Sequence, residues 1–520
     1  MMKIWIVTGF VLSFAAPAFA YDVVEKDIAT LSADMAAGRT SAAELVTAYQ
    51  ARIAQIDPML HSVIAINPGA LAAARSLDAE RRAGHLRGLL HGIPILVKDN
   101  IETADMPTTA GSLALANNVT GRDAPVVARL RAAGAIILGK TNLSEWANIR
   151  STSSLSGWSA IGGVTHNPYV LDRSPCGSSA GSGAAVAASL AAAALGTETN
   201  GSLVCPGSLN GVVAIKPSVG LLSRTYIAPI SHTQDTPGPM ARTVADAALL
   251  LSVMAGSDPL DTATIEADTR KVDYAAGLNA PLSGKRLGVV MPANTPDATK
   301  AVFAQALAVL RAAGAQIVVV PDFVRAPAAS DQEGVVLKTE FKADIAAWLA
   351  SLPGKGPKTL ADLIAFNART PRELVLFGQD YFEMSDAKPG LDDPAYIAAR
   401  NDLVASARTL IDSTLARDRL DALIRPTDDA AFRLDIIKGD NDSSNASFLP
   451  AVSGYPHLTV PMGTVRGLPL GLSFMGSAWS EAQLLALGEA FEQAAKARKP
   501  PTFLPSLEAA SAQALAPLPR

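Results

Sequence analysis

Histidine is scarce in this chain: six in 520 residues. His61, His85, His91, His166, His232 and His457 never fall at the i, i+4 spacing with an intervening glutamate that a helical zinc site uses. The pattern therefore argues against zinc hydrolysis, and no metal or cofactor is expected. A Ser-His-Asp triad needs no closeness in sequence, but the glycine turns that carry serine lack the G-x-S-x-G elbow. His91 is better read as a locally bonded loop residue. Cysteine is rarer still. Cys176 and Cys205 lack metal-ligand spacing and leave two readings, one disulfide or two small buried thiols, of which the thiols are preferred.

Excess charge of either sign is also missing. The net charge is −4, only 18% of residues are charged, and Lys and Arg do not cluster, so nucleic acid is not the expected partner. With 49% hydrophobic residues the chain can bury a large core and disorder is excluded as the default. No segment after the first twenty residues reads as a membrane span. Those twenty residues place Lys3 before the apolar run from Ile4 to Phe14 and end in Ala18-Phe19-Ala20. They read as a cleavable signal peptide cut after Ala20, which predicts a periplasmic or secreted protein. The run is shorter than the roughly 20 residues a span needs.

What is present is concentrated between Ser174 and Pro217, SPCGSSAGSGAAVAASLAAAALGTETNGSLVCPGSLNGVVAIKP. Two glycine turns, one with Ser178 and one with Ser202, flank an alanine-rich run read as one buried central helix over Ala180–Leu195. Glycine permits positive φ and lets backbone N–H groups approach a ligand closely. Thr199, Asn200 and Gly201 could thus aim their amides at a developing oxyanion. Lys98, in GIPILVKDN, follows an apolar run and is expected to be partly buried, which lowers an ammonium pKa by up to roughly 3–5 units. A neutral lysine can serve as a base and complete a serine, serine, lysine relay without histidine. The competing reading is an ion pair with Asp99 or Glu102. A literal phosphate-loop match at Gly134–Thr141, GAIILGKT, is rejected because Ala135–Leu138 is an unbroken apolar run that reads as a buried strand.

The phrases GIPILVKDN, CGSSAGSGAAVAA, GTETNGS and NGVVAIKP together resemble the amidase signature family. SEWAN, SGWSA, SPCGSS, TETNGSLVCP and SHTQDTPGPMARTVADAA are most similar to its bacterial peptide amidases, which release ammonia from peptide C-terminal amides. The resemblance is strongest over Leu89–Leu250 and returns in AVSGYPHLTVPMG and LPLGLSFMGSAWSE, while Asp258–Pro394 carries little of it. It implies an α/β amidase signature fold, a single domain over residues 21–499 with a central mixed β-sheet surrounded by helices. By position, it makes Ser202 the nucleophile, Ser178 the middle serine with a cis peptide bond, and Lys98 the terminal base. Ser178 and Ser202 stand 24 residues apart, the offset the family pattern implies; Ser179 is the runner-up. The implied reaction hydrolyses a carboxamide through an acyl-enzyme. Rival readings are a general aliphatic or aryl amidase, a glutamine-hydrolysing amidotransferase subunit, and an inactive exported binding protein. Intact Lys98, Ser178 and Ser202 argue against the last, and the signal peptide against the amidotransferase. The oligomeric state stays open.

Elsewhere, helical patterns at Ser41–Ile56, Ala70–Ala83, Pro125–Ala133, Val244–Met254 and Asp297–Ala313 alternate with strand-like runs at Ile93–Val97, Ala135–Leu138, Arg286–Val290, Gln316–Val320 and Leu420–Ile424. The stretch after Leu352–Pro357 is read as a helical cap over the site. Trp146, Trp158 and Tyr226 are candidates for either pocket or core. Residues 500–520 form a Pro-rich tail, expected to be exposed.

Overall fold

The alternation of apolar runs with amphipathic ones is realised as layers. The computed structural model describes residues 21–441 and 446–510. The signal-peptide reading, on residues 1–20, lies outside the described residues, as does the tail beyond 510. The described residues form thirteen strands: β1 (Val63–Ile66), β2 (Pro94–Lys98), β3 (Ile136–Thr141), β4 (Trp158–Ser159), β5 (Gly163–Val164), β6 (Ala193–Glu198), β7 (Val213–Lys216), β8 (Thr236–Ala241), β9 (Arg286–Val289), β10 (Gln316–Val319), β11 (Ala422–Pro426), β12 (His457–Val465) and β13 (Leu468–Met475). Eleven form one sheet in the order β1-β3-β2-β6-β8-β7-β12-β13-β11-β9-β10, and β4 with β5 forms a small hairpin. The sheet is mixed: β2 lies parallel to both β3 and β6, whereas β6–β8 and β7–β12 are antiparallel. Because β2, β3 and β6 are fully buried, they read as continuous apolar runs rather than alternating ones.

Helix limits follow local chemistry. The helix Ala42–Ile56 starts where the Ser41 side chain accepts from Glu44 N, and Val244–Met254 starts on Thr243 accepting from Asp246 N. The alanine-rich run is not one helix. It forms a helix over Ala180–Ala187, turns at Ser189 with φ 57°, and continues as β6. A wholly apolar run gives no periodicity to separate helix from strand, and pairing with β2 and β8 decides it. Small residues let this helix press against its neighbours: a Cβ added at Gly181 would lie 2.4 Å from the Ser62 carbonyl oxygen.

The cap is present. Helices Ala329–Ser351, Leu360–Ala368, Asp380–Asp386 and Pro394–Asp418 follow one another, and Phe341, Ile345, Trp348 and Phe382 form an apolar cluster with Trp146, Ile149 and Ile230. That cluster anchors the cap to the edge of the site. The tail after Lys499 does not stand off as an exposed extension over its described part. Thr502 Oγ1 donates to the Tyr169 carbonyl, and Leu504 bridges to Val170.

Candidate active site

Parallel neighbours end on the same side of a sheet, where ligands of open α/β folds gather. Val97 of β2 pairs with Leu195 of β6, so Lys98, the last residue of β2, comes beside Thr197 and Glu198 at the end of β6. Lys98 is 0% exposed. Its Nζ lies 2.8 Å from Ser178 Oγ, 2.8 Å from Thr197 Oγ1 and 3.3 Å from the Thr197 carbonyl. The ion-pair reading fails, because Asp99 pairs with Lys140 at 3.0 Å and Glu102 with Arg122 at 2.7 Å. Lys98 contacts no carboxylate among the described residues. Burial pushes its pKa down to about 7, partly opposed by the charges of Asp235 and Glu198. A neutral amine has two N–H groups and one lone pair. As an ammonium Lys98 donates to Ser178 Oγ and to Thr197; once neutral, it can keep its two N–H groups on Thr197 and offer the lone pair to the Ser178 hydroxyl. Asn100 Nδ2 also donates to Thr197 Oγ1, at 3.0 Å, and helps fix this arrangement.

The peptide bond between Gly177 and Ser178 is cis. Ser179, the alternative relay residue, is committed elsewhere: its hydroxyl donates to the Thr197 carbonyl at 3.0 Å and accepts from Thr197 N at 3.2 Å. The two serine turns are tied by Ser179 N donating to the Ser202 carbonyl at 3.2 Å. Ser202 is 9% exposed and lines a cavity of about 290 Å³ together with Gly177, Asn200, Gly201, Ile149, Tyr381 and Phe432. Its hydroxyl makes no hydrogen bond among the described residues, so the structure joins Lys98 to Ser178 and sets Ser202 at the cavity without a direct bond between the serines.

Gly201 has φ 86°, and the N–H groups of Asn200, Gly201 and Ser202 donate to no acceptor among the described residues. The side chains of this loop hold it in place. Thr199 Oγ1 donates to Asp235 at 2.6 Å, and Asn200 Nδ2 donates to Glu333 at 2.7 Å while its Oδ1 accepts from Ser447. Glu198 accepts from Leu203 N at 2.7 Å and Val204 N at 3.0 Å, fixing the turn on the other side of Ser202.

Cys176 and Cys205 form a disulfide, with Cα atoms 5.9 Å apart, which corrects the preference for two thiols. The pairing depends on the turns folding together across 29 residues of sequence, which spacing alone does not reveal. None of the three aromatic candidates lines the Ser202 cavity. Trp146 packs edge-on against Phe382 and Trp158 against Phe377, while Tyr226 faces a neighbouring cavity of about 400 Å³. That larger cavity shares Ala147, Thr199 and Ile230 with the first but does not reach Ser202, so the chemistry belongs to the smaller one. His91 is buried and bonded to the Leu77 carbonyl at 2.9 Å. His232, Glu340 and Asp344 bring three possible ligand atoms together, but Glu340 already accepts from Ser231, Thr233 and Tyr396. Thr197, Asn100, Asp235 and Glu333 were not singled out from sequence. Thr197 and Asp235 lie inside motif phrases whose spacing gives them no evident role.

A mixed α/β sheet that presents a buried lysine, a serine bonded to it and a second serine beside unclaimed backbone amides is an architecture suited to an amide hydrolase. The Amidase family model matches residues 44–485, and the chain belongs to that family. The crystal structure of the native peptide amidase from Stenotrophomonas maltophilia is 50% identical with a TM-score of 0.86, covering 92% of this chain and 99% of that one. The probable amidase of Arabidopsis thaliana is 40% identical over 90% of this chain and 89% of its own length. A glutamyl-tRNA(Gln) amidotransferase subunit of Salinispora arenicola is 36% identical over 93% of this chain and 100% of its own. The chain is an amidase signature hydrolase of the same fold as the peptide amidase.

Proposed function

We propose that this protein hydrolyses the C-terminal carboxamide of peptides, with Ser202 as nucleophile, Ser178 as relay and Lys98 as base. The observation that carries the chemistry is the buried Lys98 amine 2.8 Å from Ser178 Oγ, beneath the cavity on which Ser202 opens. The peptide assignment is supported by the half-identical peptide amidase. In this reading Ser202 Oγ attacks the carboxamide carbon and gives its proton to Ser178, whose own proton passes to neutral Lys98. The oxyanion meets the free N–H groups of the Asn200–Ser202 loop, where loss of one such donor costs about 2.7–4 kcal/mol of transition-state stabilisation. The proton returns through Ser178 as ammonia leaves, and water releases the acid by the same path.

The deciding measurement is ammonia release from amidated peptides, simple amides and glutamine by the wild type and Ser202→Ala. Peptide amides should be the best substrates and the substitution should abolish release. Faster turnover of simple amides discards the peptide assignment. Faster turnover of glutamine favours the second reading, a glutaminase like the amidotransferase subunits. Release that survives Ser202→Ala overturns the nucleophile.

Export belongs to the same proposal. It is supported by the run from Ile4 to Phe14 with Ala18-Phe19-Ala20 after it, and by the disulfide, since such bonds persist in oxidising compartments. Sequencing the mature N-terminus should give Tyr21 first; a start at Met1 removes the cleaved leader.

A further inference from the structure

The loop with the free amides is gripped by one short segment on its Thr199 side. Thr199 Oγ1 donates to Asp235 Oδ1 at 2.6 Å, and the Thr199 carbonyl accepts from Gln234 Nε2 at 3.3 Å. Asp235 Oδ2 accepts from Ile230 N at 2.7 Å and from Ser231 N at 2.9 Å. The carboxylate therefore spans from the turn at 230–231 to the first residue of the loop. Asp235 immediately precedes β8, whose Thr236 pairs with Glu198 of β6, so it lies against the end of the strand that supplies Thr197 to Lys98. Two carboxylates act on Lys98, and they are placed differently. Glu198 is committed to the N–H groups of Leu203 and Val204, beyond the nucleophile, whereas Asp235 reaches the loop before it. The cation facing Asp235 is Arg224, which is itself paired with Asp261 at 2.6 Å and faces Asp344, the partner of His232.

We propose that Asp235 is a positioning residue with two effects from one carboxylate: it places the Thr199–Ser202 loop through the Thr199 hydroxyl, and its charge keeps Lys98 basic enough to accept the relay proton. The proposal rests on the relay described above. Burial by itself would leave the Lys98 amine a weak base, and the nearby negative charge returns part of its basicity. Desolvation also pushes the Asp235 carboxyl up, to about 6, so its titration and that of Lys98 overlap, and the acid limb of the rate profile belongs to the pair.

Asp235→Asn separates charge from geometry. Its Oδ1 can accept from Ile230 and Ser231 while its Nδ2 donates to Thr199 Oγ1, so the contacts persist and the charge is gone. The acid limb of kcat/KM for a carboxamide should move to lower pH by about one unit, with a lower plateau in kcat. Thr199→Val does the reverse, cutting the hydroxyl contact and keeping the charge. Its limb should stay where the wild type has it, while kcat falls about tenfold at nearly unchanged KM because the loop is misplaced. An Asp235→Asn limb that superimposes on the wild-type limb overturns the electrostatic half, and wild-type kcat in Thr199→Val overturns the positioning half. Lys98→Ala that retains the wild-type rate and limb sinks the relay instead, which keeps the two failures apart.

Discussion

The ends of β2 and β3 make a natural comparison, because each carries a lysine that solvent does not reach. Lys98 and Lys140 are both 0% exposed, and burial lowers the pKa of both. They differ in what answers the charge. Lys140 Nζ meets Asp99 at 3.0 Å, the Ile101 carbonyl at 2.8 Å and Thr108 Oγ1 at 2.8 Å, the surroundings of a held ammonium. Lys98 meets two hydroxyls and a carbonyl and, among the described residues, no carboxylate. Burial makes either amine costly to charge; the contact set decides which is a tether and which can be a base.

The most severe break of this comparison is to remove each amine. Lys98→Met should lower kcat/KM by on the order of 10²–10⁴-fold, the range for loss of a general base, with the fold retained. Lys140→Met should strip Asp99 of the cation that answers its charge, leaving its carboxylate, among the described residues, only the Thr109 hydrogen bonds, and cost about 3–5 kcal/mol of stability, read by urea denaturation. Similar stability losses in both would erase the distinction.

The next sharpens it through pH. Lys98 moves from an ordinary 10.5 to about 7 on folding, so between those values the unfolded chain holds a proton that the folded chain has released. Stability from this group therefore rises with pH across that window and is flat outside it. The difference in denaturation free energy between wild type and Lys98→Met should slope accordingly from pH 7 to 10; a level difference would mean that Lys98 titrates as an ordinary lysine.

The last test sets the two neighbouring serines against each other, and the smallest effect is expected at Ser179. Ser178→Ala should abolish turnover, whereas Ser179→Ala should keep it within about tenfold of wild type. The latter should lose roughly 1–3 kcal/mol of stability, since Thr197 N and O lose a buried partner. Inactivity of Ser179→Ala with Ser178→Ala active would reverse their roles.

Much of this is legible in the residues. Ser41–Ile56 and Val244–Met254 carry their own caps, so their limits can be read locally. The phrases around Lys98, Ser178 and Ser202 are specific enough to pick three residues, of which the fold puts two in direct contact. The alanine-rich run misleads because a segment buried on every face has no periodicity. Thr197 and Asp235 escape notice for another reason. Thr197 contacts Lys98 across 99 residues of sequence, and Asp235 contacts Thr199 across 36. Asp99 and Glu102 look like partners of Lys98 by adjacency. Yet β2 ends at Lys98 and the chain turns at Asp99 and Asn100, so each carboxylate is carried away to serve a different cation.

The sequence by itself determined the α/β layering and the family, because these rest on local patterning and on motifs written contiguously. It also supplied the chemical inventory of lysine, serines and glycine turn. Only the tertiary structure decided that Lys98 faces hydroxyls, that Cys176 bonds to Cys205, and that Asp235 grips the Thr199 loop. Basicity, disulfide pairing and loop placement depend on what surrounds an atom in space, and burial and Coulomb interactions follow distance through the fold rather than distance along the chain.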